Sequence, residues 1–339
     1  MGRSDSHLCC PASDSKIMYC WGGRNHTKGN VHRFDLIGNR WMPPLQAVNP
    51  EIQPQTRFYH GFLLHEQTLW IFGGVNEEEP NSNVVENELY SFDLVTCTWT
   101  HYEQLEGKPW PSARKGHCFV YRESTNSLLL YGGNESTLLS DIWEFDIEHR
   151  EWQLIEQANS IPPRAYASGT LMQINGRETL VIFGGDFGVY DQELSDELFY
   201  FDLPTKKWRQ VLATGTRPPP LFGHATSTCK ISDKEIVVFG GCNNDYDPYG
   251  DCYLLSVDTE IWYKIDIQDI RPLNCTAICL DRERGRLHLL GGYEEGTRSN
   301  QHLYIDMNAL FNYDIKRGFP KMFSMIGSSA LSDIKIQFK

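Results

Sequence analysis

An apolar stretch ending in a Gly-Gly pair occurs six times in this chain, and that recurrence constrains its fold more than any other feature. The copies are YCWGG at Gly22-Gly23, WIFGG at Gly73-Gly74, LLYGG at Gly132-Gly133, VIFGG at Gly184-Gly185, VVFGG at Gly240-Gly241 and HLLGG at Gly291-Gly292. They are 51, 59, 52, 56 and 51 residues apart. A steady period of about 50 residues signals stacked copies of one supersecondary unit, although the length of 339 residues alone would suggest two ordinary domains.

A second mark follows each pair. An apolar residue and Asp precede Trp by six residues at Phe34-Asp35 to Trp41, Phe92-Asp93 to Trp99, Phe145-Asp146 to Trp152 and Phe201-Asp202 to Trp208. The fifth repeat has Ser256 for Asp before Trp262; the sixth keeps Asp306 but has Asn312 in place of Trp. A third mark opens several repeats, with Arg57 before His60-Gly61, Arg114 before His117, Arg164 before Ala167-Ser168, and Gly223-His224.

Each repeat reads as four short strands, a to d. In the second they fall near 61–64, 69–72, 88–92 and 97–100. Gly-Gly ends strand b because the chain there needs positive φ or close backbone approach. The Asp-to-Trp interval is a c–d hairpin whose Asp bonds the turn backbone. A lone four-stranded sheet cannot cover both its faces. Sheets stacked in a ring can, with a Trp wedged between neighbours, and closure leaves only short edges.

Six units marked R-x-x-H/G, Gly-Gly, Tyr/Phe-Asp and Trp resemble the kelch repeat family from about Ser4 to Lys316. The resemblance implies an all-β, six-bladed kelch β-propeller with four antiparallel strands per blade over residues 1–316. The remainder, 317–339, reads as a linker followed by Ser332-Asp333-Ile334 and alternating apolar residues, which looks like the start of a BTB domain. A closing strand or a frayed end is the alternative for this tail.

Length variation separates scaffold from decoration. Trp to the next Gly-Gly takes 32, 33, 32, 32 and 29 residues, whereas Gly-Gly to the Asp (or Ser256) takes 13, 20, 14, 18, 16 and 15. The b–c loop is therefore the freest connection, and variable loops on a rigid scaffold are where recognition concentrates. Kelch resemblance implies that b–c loops and d–a connections converge on one face around a central channel. The candidate ligand-binding face comprises Arg24, Asn25, His26, Tyr59, Asn76, Asn134, Tyr166, Asp186, Phe187, Asn243, Asn244, Tyr293 and Glu294. Tyr59 and Tyr166 stand two residues past Arg57 and Arg164, a position that points to the channel mouth in peptide-binding members of the family. Gly116 and Gly223 occupy it elsewhere. Aromatics among amides and acids suit a peptide rim. Taken singly, each of these residues also fits an ordinary polar turn.

Arg57, Arg114 and Arg164 recur in phase and read as blade-to-blade hydrogen-bonding residues; the in-phase His60, His117 and His224 read as structural. Arg24, outside that phase, is the better ligand candidate. No catalytic motif is found, and no cofactor, metal site or enzymatic activity is expected. A net charge of −13 argues against nucleic acid and leaves a solvated acidic surface or a mildly acidic face for a basic peptide. No apolar run reaches membrane-spanning length and no signal peptide opens the chain, so a cytoplasmic protein with reduced thiols and no membrane partner is expected.

The expected role is therefore capture of a protein or peptide partner on the b–c loop face. The resemblance, with the tail, implies a substrate receptor of a cullin-RING ubiquitin ligase that reaches its cullin through a BTB domain absent from this sequence. A scaffold in cytoskeletal organisation or vesicle traffic is the alternative.

Overall fold

Four of the Gly-Gly pairs end the second strand of an antiparallel sheet, whereas at Gly132-Gly133 and Gly291-Gly292 the strand runs on through a register shift, and the six sheets stand in a ring. A computed structural model of the chain describes residues 8–11, 16–23, 29–76, 84–188, 193–224, 228–230, 234–265, 267, 272–273, 277–281, 284–294 and 297–307. For 8–11, 228–230, 280, 293–294 and 297–301 the description covers the backbone alone.

Blade 1 consists of Leu8–Pro11, Ile17–Trp21, Val31–Asp35 and Arg40–Leu45. Blade 2 consists of Gly61–His65, Thr68–Phe72, Leu89–Asp93 and Thr98–Tyr102. Blade 3 uses Cys118–Arg122, Ser127–Asn134, Leu138–Asp146 and Glu151–Ile155. Blade 4 uses Ser168–Ile174, Arg177–Phe183, Leu198–Asp202 and Lys207–Val211. Blade 5 contains Thr228–Lys230, Glu235–Phe239, Cys252–Ser256 and Ile261–Ile265, with Thr214–Gly215 added in parallel at its outer edge. Blade 6 has three strands among the described residues, Ala277–Asp281, Arg286–Glu294 and Thr297–Asp306. The position of a fourth, around Asn312, and the segment 317–339 lie outside the described residues.

First strands of successive blades stand side by side around the axis, and Leu8–Pro11 stands beside Ala277–Asp281 to close the ring. Within the described residues every blade is drawn from consecutive chain.

The Trp wedge works between blades. Trp99 meets Trp21 of blade 1 at 5.9 Å, Trp152 meets Phe72 of blade 2 at 5.3 Å, and Trp208 meets Tyr131 of blade 3 at 5.1 Å. Trp262 meets Phe183 of blade 4, also at 5.1 Å. Each indole thus packs on the aromatic residue just before the previous blade's Gly-Gly, where burying a large ring contributes about 1.5–3 kcal/mol. Blade 1 breaks the pattern. Leu290 stands where blades 1 to 4 have an aromatic before Gly-Gly, and Trp41, packed in one cluster with it, is only partly buried.

The c–d hairpins form as the Asp residues require. Asp93 Oδ1 accepts from the Val95 and Thr96 amides at 2.8 and 2.7 Å; Asp35, Asp146 and Asp202 do the same work. Outer edges are covered by the connecting segments. Asn49 accepts from the Trp99 amide and donates to its carbonyl, both at 2.8 Å, and Asn159 repeats this on Trp208. A side-chain amide here imitates a strand residue and satisfies an otherwise open edge.

One cysteine departs from the reduced-thiol expectation. Cys20 is disulfide-bonded, and strand register sets Cys9 directly opposite it. Cys97, Cys118 and Cys252 are free thiols. No helix among the described residues is long and apolar enough to cross a membrane.

Candidate binding face

The segment entering each blade pairs with the segment leaving its Gly-Gly. Arg57-Phe58 pairs with Val75-Asn76, Lys115 with Asn134, Ala165 with Asp186, and Phe222 with Cys242. These small ribbons hold the d–a connection against the b–c loop in each of blades 2 to 5.

The glycines make this convergence possible. At Gly73 φ is +62°, and a Cβ there would lie 2.5 Å from the Arg114 carbonyl of the next blade. Gly74, with φ +93°, donates its amide to that same carbonyl at 2.9 Å. Positive φ and close approach therefore act together, and any side chain would separate the blades.

The in-phase arginines differ from their expected role. Arg114 is fully buried, and its guanidinium donates to Gly132 O at 3.0 Å and to Asp141 at 2.7 and 2.9 Å, all within its own blade. Arg57 joins Gly73 O to Glu88, and Arg164 joins Gly184 O to Glu197. The blade-to-blade bonds at these positions use their main-chain carbonyls, which accept from Gly23, Gly74 and Gly133. A buried guanidinium must be paired and hydrogen-bonded, so these cations are consumed by the scaffold. Burial pushes the Asp141 carboxyl up, but the Arg114 bonds outweigh it and hold the acid below its ordinary range. In blade 5 Leu221 stands at this position, and Asp251 pairs with Lys264 at 2.8 Å instead.

The in-phase histidines lie edge-on to the aromatic before the preceding Gly-Gly. His60 meets Trp21 at 5.0 Å, His117 meets Phe72 at 5.5 Å and His224 meets Phe183 at 5.3 Å. Burial lowers the His117 pKa well below its usual value and pushes His224 down to about 4, so both rings are neutral packing elements. Among the described residues no three His, Cys, Asp or Glu side chains are grouped to hold a metal ion.

Tyr59 and Tyr166 come from blades 2 and 4 yet meet edge-to-face at 5.1 Å. Gly116 explains how. Its amide donates to Tyr59 O at 2.9 Å, its carbonyl accepts from the Tyr166 amide at 2.6 Å, and a Cβ on it would strike the Tyr166 ring at 2.6 Å. The glycine that makes the sequence pattern uneven is what lets Tyr166 lie across blade 3. All four residues in this slot are left-handed, with φ of 55° at Tyr59, 62° at Gly116, 56° at Tyr166 and 70° at Gly223. That conformation costs a non-glycine residue about 1–2 kcal/mol. Blades 2 and 4 thus carry Tyr where Gly would be easier, and strain of this kind clusters at ligand-contacting positions.

The aromatic chain extends further. Phe222 lies 6.1 Å from Tyr166, and Tyr246 lies 5.4 Å from Phe222 with 61% of its surface exposed. Neither was among the candidate residues. Phe222 was discoverable from phase, since it precedes Gly223 as Phe58 precedes Tyr59; Tyr246 lay within a loop already singled out but carried no periodic mark.

The other candidates divide. Asp186 joins the Ala165 ribbon beside Tyr166, and its carboxylate accepts from the Gly188 and Glu193 amides; burial raises its pKa. Phe187, partly buried, follows it, its amide bonding Glu193 O. Asn243 folds its own loop, accepting from the Asp245 and Asp247 amides at 3.0 and 2.9 Å, while Asn244 is exposed beside it. Asn76 bonds Gln55 and Glu86, and Asn134 pairs through its backbone with Lys115. Arg24, Asn25 and His26 lie outside the described residues. Tyr293 and Glu294 end a described strand, but their side chains lie outside the description.

Six blades, paired Gly-Gly turns and in-phase Arg and Trp define a kelch-type propeller, whose folds serve as protein-interaction modules. Two family models match the chain, the KLHDC2/KLHL20/DRC7 Kelch-repeats domain over residues 1–185 and the Attractin/LZTR1 beta-propeller over residues 100–317. The chain belongs to the kelch-repeat β-propeller family. It is similar to the Leucine-zipper-like transcriptional regulator 1 homolog of Drosophila melanogaster, 23% identical over 294 residues that cover 81% of this chain and 28% of the fly protein. It is also similar to Kelch domain-containing protein 1 of Mus musculus, 23% identical over 322 residues, covering 84% of this chain and 75% of that protein. Kelch domain-containing protein 3 of Bos taurus is 26% identical over 297 residues, covering 81% and 72%. The chain thus spans little more than a quarter of the fly relative's length and about three quarters of the two kelch domain-containing proteins'.

Proposed function

We propose that this propeller captures a segment of a partner protein at the channel mouth, across Tyr59, Tyr166, Phe222 and Tyr246. The observation that carries this reading is the meeting of aromatics from blades 2, 4 and 5 on the face where the variable loops converge. Aromatic side chains supply large contact area at low entropic cost and dominate binding hot spots. Asn76, Asn134, Asp186, Phe187, Asn243 and Asn244 shape the rim around them.

The finer reading makes the propeller a substrate receptor of a cullin-RING ubiquitin ligase, with residues 317–339 leading into a BTB domain. Similarity to proteins of the leucine-zipper-like regulator type supports it, as does the Ser332-Asp333-Ile334 tail. The test is an affinity pulldown from cell lysate with the full chain and its Tyr59→Ala/Tyr166→Ala/Tyr246→Ala variant. Partners lost with the three rings define the face, and unchanged partners refute it. The product of the complete transcript should co-purify with a cullin; recovery of cytoskeletal or small-GTPase partners without ligase subunits would favour a scaffold instead.

A further inference from the structure

The chemistry of the channel mouth points to the kind of partner it accepts. The rim around the four aromatics carries carboxylates. Asp245 and Asp247 flank Tyr246 and are exposed, Glu193 is exposed beside Phe187, and Glu86 and Asp186 are partly exposed next to the ribbons that hold Tyr59 and Tyr166. The cations that the kelch pattern places nearest this face turn inward. Arg57, Arg114 and Arg164 are at most 1% exposed and are spent on Glu88, Asp141 and Glu197. Lys264 is likewise paired with Asp251, and Arg217 with Asp196. The scaffold therefore neutralises these arginines below the surface, and the partly exposed Lys115 of the Asn134 ribbon stands against five carboxylates around the mouth, in a chain of net charge −13.

Aromatic rings ringed by carboxylates form a receptor for a cation. The π-faces attract an ammonium or guanidinium electrostatically, and the acids supply long-range attraction that speeds encounter. Phe222, only 7% exposed, makes a floor, while Tyr246 stands 61% exposed at the side. The backbone is left-handed at Tyr59, Tyr166 and Tyr246, with φ of 55°, 56° and 63°, and edge-to-face contacts join the four rings in a row.

We propose that the channel mouth binds a cationic peptide segment, with an arginine or lysine side chain seated among Tyr59, Tyr166, Phe222 and Tyr246. This rests on the reading of the face as a binding site. It adds the sign of the partner's charge and the ring-face mode of contact.

The test measures fluorescence anisotropy of three labelled peptides of equal length on the full chain, alternating glycine with arginine, glutamate or serine. The arginine peptide binds; the other two do not. Its affinity falls about tenfold or more in Tyr59→Ala/Tyr166→Ala, and in Tyr246→Ala, where the exposed ring can be removed with little effect on folding. It falls also in Asp245→Asn/Asp247→Asn, and in the native chain when salt rises from about 50 to about 500 mM. Unchanged affinity in both tyrosine variants would mean charge attraction anywhere on an acidic surface, and it overturns the proposal. Equal binding of the glutamate or serine peptide overturns it as well. If the pulldown partners depend on the tyrosines but are not displaced by the arginine peptide, the face binds a partner and only the cationic assignment falls. If neither pulldown nor peptide responds to the tyrosines, the binding face itself is wrong.

Discussion

Acidification should weaken the ring at its closure seam. There a polar chain takes the place of the aromatic wedge. His288 and His302 of blade 6 stack with Nδ1 and Nε2 2.8 Å apart, and His302 Nδ1 lies 2.6 Å from Asn39 Oδ1 in the c–d turn of blade 1. Since the amide oxygen accepts, His302 donates from Nδ1 and its Nε2 accepts a hydrogen bond from His288 Nδ1–H, with both rings neutral. Behind them Asp281 sits 3.9 Å from His288 Nε2, bonded at 2.8 Å to Arg284, with Arg286 and Tyr304 alongside. Burial pushes His288 down to about 4 and His302 to about 3; Asp281 opposes the shift at His288 but does not overcome it.

The folded values lie below the unfolded value of about 6.5, so the unfolded chain binds protons first as pH falls. The stabilisation is complete above about pH 6.5, shrinks through pH 5, and levels off only near the folded values. Each unmatched proton costs about 1.4 kcal/mol per pH unit, so moving to pH 5 removes roughly 2 kcal/mol per histidine and roughly 4 for the pair. Against a total of about 5–15 kcal/mol for a folded domain that is a large share. Urea unfolding at pH 7, 6 and 5, followed by tryptophan fluorescence, compares the native chain with His288→Gln/His302→Gln. The stability lost between pH 7 and 5 should be smaller in the variant by about 4 kcal/mol. His117 and His224 also lose stability on acidification, but they are common to both proteins and cancel in the difference. Identical pH dependence would refute the seam as the acid-sensitive element.

Three further outcomes follow from the packing. Trp152→Ala, at 1% exposure and bounded by Phe72, Phe145 and Trp110, should cost about 3–5 kcal/mol in equilibrium unfolding, whereas Trp41→Ala at the seam should cost clearly less. Gly116→Ala drives a Cβ into the Tyr166 ring and adds backbone strain, so it should lower stability by roughly 1–3 kcal/mol and displace Tyr166 from Tyr59, visible as lost partner binding in a pulldown. Asn159→Ala uncovers the outer edge at Trp208 and should lower the urea midpoint by the equivalent of about 1–2 kcal/mol; no change would mean that solvent replaces the Asn159 bonds without loss.

Local chemistry explains why so much of the fold was legible. Positive φ at Gly73-Gly74 and an Asx turn at Asp93 each depend on residues close in sequence, and the period repeats them together with the Trp that wedges against the preceding blade. The arginines show where local reasoning stops. Phase marks Arg57, Arg114 and Arg164 as equivalent, but whether a guanidinium reaches across blades or back into its own depends on where Glu88, Asp141 and Glu197 project. The loop residues were harder still. Asn243 and Asn76 look like ligand groups in sequence, yet each has neighbours in its own blade that take up its hydrogen bonds.

The six Gly-Gly pairs, with the Asp and Trp marks in register, determined by themselves that this chain forms a six-bladed propeller, because each mark solves a problem within one blade or at its border. Only the tertiary structure decided that Tyr59, Tyr166, Phe222 and Tyr246 form one aromatic cluster. These residues are far apart in sequence and share no single repeat. They meet because curvature around the axis brings the first strands of successive blades together, and because Gly116, lacking a side chain, leaves room for the Tyr166 ring.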